Sequence, residues 1–156
     1  MKNILKSIGI IIFPLIVGGV SGFLIRNNVY IYDVLIKPPF ALPNYLFSVV
    51  WSILYLTMGI GLFLYLREKD KIGSNSDCIF YFLIQLFLNF CWSIVFFNFR
   101  AFLLAFILLV VLFIFVALTV SCFYNTRKSS GIILIPYLLF LIYAGYLNFA
   151  IWFLNM

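Results

Sequence analysis

Residues 37–55 read KPPFALPNYLFSVVWSILY, a proline-rich connection that runs straight into an apolar segment. Proline fixes φ, lacks an N–H and pushes the preceding residue toward extended geometry. Lys37, Pro38, Pro39 and Pro43 therefore define a stiff loop that resists both helix and sheet. Asn44 follows, with a side-chain oxygen suited to capping a helix start. From there to Arg67 no charge occurs, and such a run is long enough to cross the hydrocarbon core as a helix. The loop is expected at a membrane surface, with Trp51 below it.

The rest of the chain agrees. Of its 156 residues 67% are hydrophobic and only 9% charged, and the mean hydropathy is +1.24, a composition that no water-exposed surface tolerates. The formal net charge of +6 is spread between apolar runs and forms no stripe, which excludes nucleic acid as a partner and points to membrane orientation. Apolar runs cover about 4–25, 44–66, 78–97, 102–123 and 132–154, each one crossing long. The first has no small-residue cleavage signature and is followed by further spans, so it is expected as a retained helix. Strands of a membrane barrel would alternate polar and apolar over shorter stretches. The expected fold is an all-α integral membrane protein, a five-transmembrane-helix bundle forming a single domain over residues 1–156.

Five crossings put the termini on opposite sides. Lys2, Lys6, Arg67, Lys69, Lys71, Arg127 and Lys128 share the N-terminal side, against Arg26, Lys37 and Arg100 on the other. The basic excess marks the cytoplasmic face, so the N-terminus is expected inside and the proline loop and C-terminus outside. The segment NNVYIYDVLIKPPF reads as an interfacial lid, because tyrosine favours the headgroup zone.

Inside the spans, polar residues are few. Gly18 and Gly22 form a GxxxG, with Gly19 between them, and allow close backbone approach within the monomer or between monomers. Gln85, Asn89 and Ser93 recur every four residues, so they stack on one face of the third span with Trp92 beside them. That stripe suits either interhelical hydrogen bonds or the lining of a ligand pocket. Tyr137, Ala144, Asn148 and Asn155 share a face of the last span. The fourth span, almost wholly Leu, Ile, Val and Phe, is scaffold.

The chain has no histidine, and its acids, Asp33, Glu68, Asp70 and Asp77, all lie outside the spans. His-based acid–base catalysis, a catalytic triad and His-ligated haem are thereby excluded. A membrane-embedded carboxylate for proton coupling and a phosphate-binding glycine loop are missing as well. Cys78, Cys91 and Cys122 are unclustered, so neither a disulfide framework nor a zinc site is expected. No cofactor or metal is implied. With 21% aromatic residues, what remains is an apolar bundle that could hold a flat apolar ligand.

These residues resemble the TspO or translocator-protein family, also called peripheral-type benzodiazepine receptors. The resemblance runs through Tyr32, Lys37-Pro38 and Pro43; Phe47, Trp51, Tyr55 and Gly59; Leu88-Asn89, Trp92-Ser93 and Phe96-Phe97; and Pro136-Tyr137, Ala144, Leu147-Asn148 and Asn155. It implies a five-helix bundle, commonly a homodimer in a bacterial plasma membrane, that binds porphyrins such as protoporphyrin IX between helices capped by the 26–43 loop. The ligand-binding set is expected to be Tyr32, Pro38, Phe47, Trp51, Tyr55, Gln85, Asn89, Trp92, Phe140, Ala144 and Asn148. Two further readings stand beside a receptor or carrier. One is light-dependent oxidative degradation of protoporphyrin with Trp51 as electron donor; the other is a ligand-regulated structural partner. The family often has tryptophan where this chain has Ile31, Phe40 and Phe140. Sterol is disfavoured as a ligand, because residues 146–156, YLNFAIWFLNM, lack the Lys or Arg that the cholesterol-recognition pattern requires.

Overall fold

The computed structural model describes residues 2–72 and 77–156, with side chains for 4–69 and 77–156. The side chains of Lys2, Asp70 and Lys71, which enter the charge reading above, lie outside the described residues. The helices are α1 (Lys2–Ile25), α2 (Ile31–Val34), α3 (Asn44–Ile72), α4 (Asp77–Phe97), α5 (Phe102–Thr126), α6 (Lys128–Ile132) and α7 (Ile135–Leu154). Among the described residues, five spans are long and apolar enough to cross a membrane: Ile4–Ile25, Asn44–Lys69, Asp77–Phe97, Phe102–Thr126 and Lys128–Leu154.

The spans close into a ring in which α1 packs on α3 and α4, α4 on α5, α5 on α7, and α7 on α3. Large apolar side chains such as Ile8, Phe23, Phe87, Ile114 and Phe153 point outward, as a lipid-facing surface requires, since no water is there to penalise them. The inward faces carry Met58, Tyr65, Phe82, Leu112, Phe123 and Leu141. Tyr65 and Phe123 stack with ring centroids 4.4 Å apart, and Phe82 also stacks on Phe123, at 5.8 Å.

Several boundaries differ from the apolar runs, for identifiable reasons. Helix α3 continues past the first charge at Arg67 because backbone hydrogen bonding does not stop where hydropathy does. The last span is broken: α6 ends at Ile132, and α7 restarts with Pro136 in its first turn, where a missing N–H costs nothing. Ser130 Oγ donates within 2.9 Å of Phe123 O and 2.7 Å of Arg127 O, tying α6 to the end of α5. Asn44 opens α3, and its side-chain amide donates to Asp33 Oδ2 at 3.1 Å. Between α4 and α5 the turn is tight, with Arg100 in the left-handed region at φ 53°.

The expectation that no cysteines pair is corrected: Cys78 and Cys122 form a disulfide with Cα atoms 5.5 Å apart, and Cys91 is free. Cys78 lies 19 residues before Phe97 and Cys122 lies 20 after Phe102. An antiparallel α4–α5 hairpin therefore sets them side by side. Linear separation had hidden this.

Candidate functional site

A cavity of about 280 Å³ lies between α1, α3 and α4. Its wall on α1 is built from Leu15, Gly18, Gly19, Ser21, Gly22 and Ile25; Phe47, Ser48, Trp51, Ser52 and Tyr55 come from α3, and Trp92, Ser93 and Phe97 from α4. Small residues on α1 create the space. A side chain at Gly18 would overlap the Tyr55 ring, whereas Gly19 and Gly22 face open space. The glycine cluster thus serves a ring contact inside the monomer and a cavity wall. Gly19, Gly22, Ser48 and Ser52 are exposed, so the cavity opens sideways between α1 and α3, at membrane depth. At Gly59 the carbonyl of Ile11 comes so close that only glycine fits, which fixes α1 against α3 beneath the cavity.

Trp51 is the hinge of the aromatic wall. Its ring centroid lies 5.8 Å from Trp92, 5.9 Å from Tyr55, 5.6 Å from Phe140 and 6.3 Å from Tyr137. Phe47 meets Tyr32 edge-on at 5.2 Å and Phe140 at 6.3 Å. Behind this layer a second, nearly filled space of about 10 Å³ is bounded by Tyr32, Phe47, Trp92, Ala144 and Asn148. The expected site residues are therefore split. Phe47, Trp51, Tyr55 and Trp92 line the open cavity; Tyr32, Ala144 and Asn148 sit behind the aromatic layer; Phe140 bridges by ring contact.

Gln85 and Asn89 line neither space. Asn89 Nδ2 donates to the Tyr137 hydroxyl at 3.0 Å, and that hydroxyl donates to Gln85 Oε1 at 3.2 Å. One turn on, Trp92 Nε1 donates to Asn148 Oδ1 at 3.0 Å, while Asn148 Nδ2 donates to Phe102 O at 3.0 Å. Of the two readings left open for the polar stripe, interhelical hydrogen bonding accounts for Gln85 and Asn89. Trp92 and Ser93 also reach the cavity.

The 26–43 loop is fastened to α7. Tyr143 Oη accepts from Leu42 N at 3.0 Å and donates to Phe40 O at 2.9 Å; Tyr146 Oη donates to Pro39 O at 3.2 Å. Asn155 pairs reciprocally with the backbone of Ile36, both bonds 3.0 Å. Within the loop, Tyr32 Oη donates to Leu42 O at 2.8 Å, Lys37 lies 4.0 Å from Asp33 and 4.9 Å over the Tyr32 ring, and Pro38 is buried. Burial, reinforced by Tyr143 and Asp33, pushes the Tyr32 hydroxyl up to about 12, so it stays a donor. Tyr143, Tyr146 and Ser21 were missed in the sequence. The tyrosines recur at one-turn spacing opposite a proline loop, and Ser21 is the polar residue inside GGVSG; those were the available signals.

Fold and site together define a polytopic helical membrane protein with a laterally open intramembrane cavity and a 26–43 loop latched to the last helix. A family model described as the TspO/MBR family matches residues 10–153. Among curated proteins, the tryptophan-rich protein TspO of Archaeoglobus fulgidus is 37% identical over 154 residues, covering 98% of this chain and 99% of the relative. The CrtK protein of Rhodobacter capsulatus is 32% identical over 127 residues, covering 80% and 78%. The translocator protein of Bos taurus is 30% identical over 124 residues, covering 78% and 72%. The chain belongs to the TspO/MBR family.

Proposed function

We propose that this protein is a membrane receptor or carrier for a flat apolar ligand of the tetrapyrrole class, with protoporphyrin IX as the test compound, bound in the cavity between α1, α3 and α4. The observation that carries this reading is the Trp51 wall: a broad indole, backed by Trp92, Tyr55 and Phe140, faces a mainly apolar cavity with a few serine hydroxyls. Aromatic walls with a few polar groups are the usual lining of small-molecule sites. At about 280 Å³ the cavity lies at the lower end of such sites, about 300 to 1,000 Å³. A macrocycle would therefore enter edge-on through the α1–α3 opening and keep part of its rim in lipid. Saturable quenching of tryptophan fluorescence by protoporphyrin in nanodiscs tests the reading, and unsaturable, partition-like quenching would reject it.

The same geometry favours light-dependent porphyrin oxidation as the second reading, because two indoles, Trp51 and Trp92, lie 5.8 Å apart beside the cavity. Orientation and assembly belong to the proposal as well: a homodimer in a bacterial plasma membrane with its N-terminus in the cytoplasm. Of the basic side chains described, Lys6, Arg67, Lys69, Arg127 and Lys128 lie on the inner side against Arg26, Lys37 and Arg100. Labelling of a cysteine placed at Lys69 from outside intact cells would reverse the orientation, and a single monomeric species after crosslinking in native lipid would remove the dimer.

A further inference from the structure

We infer that the cavity selects a neutral ligand bearing a hydrogen-bond acceptor, with the hydroxyl of Ser21 as its anchoring donor. This rests on the proposed ligand role of the cavity and names the chemistry it would accept. Ser21 is only 2% exposed, lines the cavity, and its Oγ has no hydrogen-bond partner. A hydroxyl in a helix ordinarily bonds the carbonyl one turn back, as Ser52 does to Ser48 O at 2.8 Å and Thr119 to Phe115 O at 2.7 Å. Ser21 does not. Of the other hydroxyl-bearing residues at the cavity, Ser52 is committed to its own helix, Ser93 donates to Asn89 O at 3.4 Å, Ser48 sits at the exposed rim, and Tyr55 packs its ring against Gly18 and Trp51. Asn89 Oδ1 is the other buried acceptor without a partner among the described residues, and it does not line the cavity.

Among the described residues, no Lys, Arg, Asp or Glu lines the cavity. The nearest cations in sequence are engaged elsewhere: Arg26 donates to Phe23 O at 2.8 Å and lies 3.8 Å over the Phe23 ring, and Lys37 faces Asp33. An ionised carboxylate carried inside would meet neither a counter-charge nor water, which is the costliest arrangement in a membrane interior. A carbonyl or ether oxygen meets the unpartnered Ser21 hydroxyl. The cavity therefore favours the neutral ester over the free diacid, whose carboxylates must stay at the open rim, and rewards a neutral acceptor within.

Three porphyrins separate these effects: protoporphyrin IX dimethyl ester, which is neutral with carbonyl acceptors; the free diacid; and octaethylporphyrin, which has no oxygen. Binding is measured by fluorescence titration of the full chain in nanodiscs, for the wild type and for Ser21→Ala, Ser21→Thr and Gly22→Leu, with a melting curve of each unliganded protein. The ester is expected to bind more tightly than the diacid. Ser21→Ala should weaken the ester about threefold to tenfold, the range of one net hydrogen bond, and leave octaethylporphyrin unchanged. Ser21→Thr should restore the ester. Because Ser21 makes no bond in the unliganded protein, Ser21→Ala should not lower the melting temperature, which separates an anchor from a packing role. Gly22→Leu, which fills the open space at Gly22, should weaken all three. If Gly22→Leu weakens binding but Ser21→Ala changes nothing, or changes the ester and octaethylporphyrin alike, the cavity stands and the anchor is wrong. If Gly22→Leu has no effect, the cavity is not the site and the proposal falls with it. Tighter binding of the diacid would overturn the selection for neutral ligands.

Discussion

Replacing Gly59 with alanine tests how α1 is held against α3. The added Cβ would collide with the carbonyl of Ile11, which is backbone and cannot rotate away. Alanine itself favours a helix over glycine by about 1 kcal/mol, while forcing an extra carbon into a packed contact costs about 1–3 kcal/mol and more where backbone must shift. The net expectation is a loss of about 1–2 kcal/mol, or roughly 2 to 8 °C in melting temperature for a chain of this size. Gly19 is the control on the same pair of helices: nothing lies within 4 Å of a Cβ placed there. Gly19→Ala should show only the propensity gain and melt roughly 2 to 4 °C higher. The assay is thermal unfolding in nanodiscs, followed by circular dichroism at matched lipid composition. Glycine-to-alanine changes that move both variants the same way would refute the claim that the Ile11–Gly59 contact sets the spacing of α1 and α3.

Trp51→Ala should weaken protoporphyrin binding by about 1–3 kcal/mol, the scale for truncating an aromatic anchor, while Trp152, on the far side of α7, should matter little; equal affinities would remove Trp51 from the site. Under fixed illumination Phe140→Trp should accelerate porphyrin bleaching without a matching change in affinity, because an indole is a far better electron donor than a phenyl ring. With Trp92 5.8 Å from Trp51, only a variant with both indoles replaced should abolish the reaction, and bleaching that survives it would exclude them as donors. Thiol titration of the denatured, unreduced protein should find one reactive cysteine, Cys91, and reduction should cost less stability than the roughly 4 kcal/mol that chain entropy assigns to a 44-residue loop, since the bilayer already confines the unfolded hairpin; three free thiols would refute the pairing. Alkali should release the 26–43 loop between the ordinary tyrosine value of 10.0 and about 12. Below 10 the Tyr32 hydroxyl is neutral whether the loop is docked or free, and above that pH ionisation favours the undocked loop, so the stabilisation is lost as pH rises through about 12. Amide exchange at Leu42 reads this, and an unchanged profile in Tyr32→Phe would refute it.

The five spans were legible because a bilayer demands long uncharged runs, and few other folds supply them. Trp51 and Trp92, which line the cavity, stood out in the sequence because a tryptophan within a span, close to polar residues, is conspicuous. What the sequence hid were relations across the bundle. Gln85 and Asn89 look the same whether they face a ligand or Tyr137, and only the α4–α7 register decides. The Cys78–Cys122 pair depends on where the α4–α5 turn is centred. Gly18 and Gly22 lie one turn apart, yet the first seats the Tyr55 ring and the second faces open space. That difference comes from α3 and is written nowhere in α1.

The bonds that fasten the 26–43 loop join residues far apart in the chain: Leu42 to Tyr143 across 101 positions, Pro39 to Tyr146 across 107, and Ile36 to Asn155 across 119. The loop is made early and its partners late. As the polypeptide emerges from its N-terminal end, α1, α3 and α4 can assemble the cavity walls, and Asn28 can already reach Asn98 beyond α4, while the loop still lacks its fastenings to α7. Closure therefore belongs to the final stage of biogenesis and waits for α7.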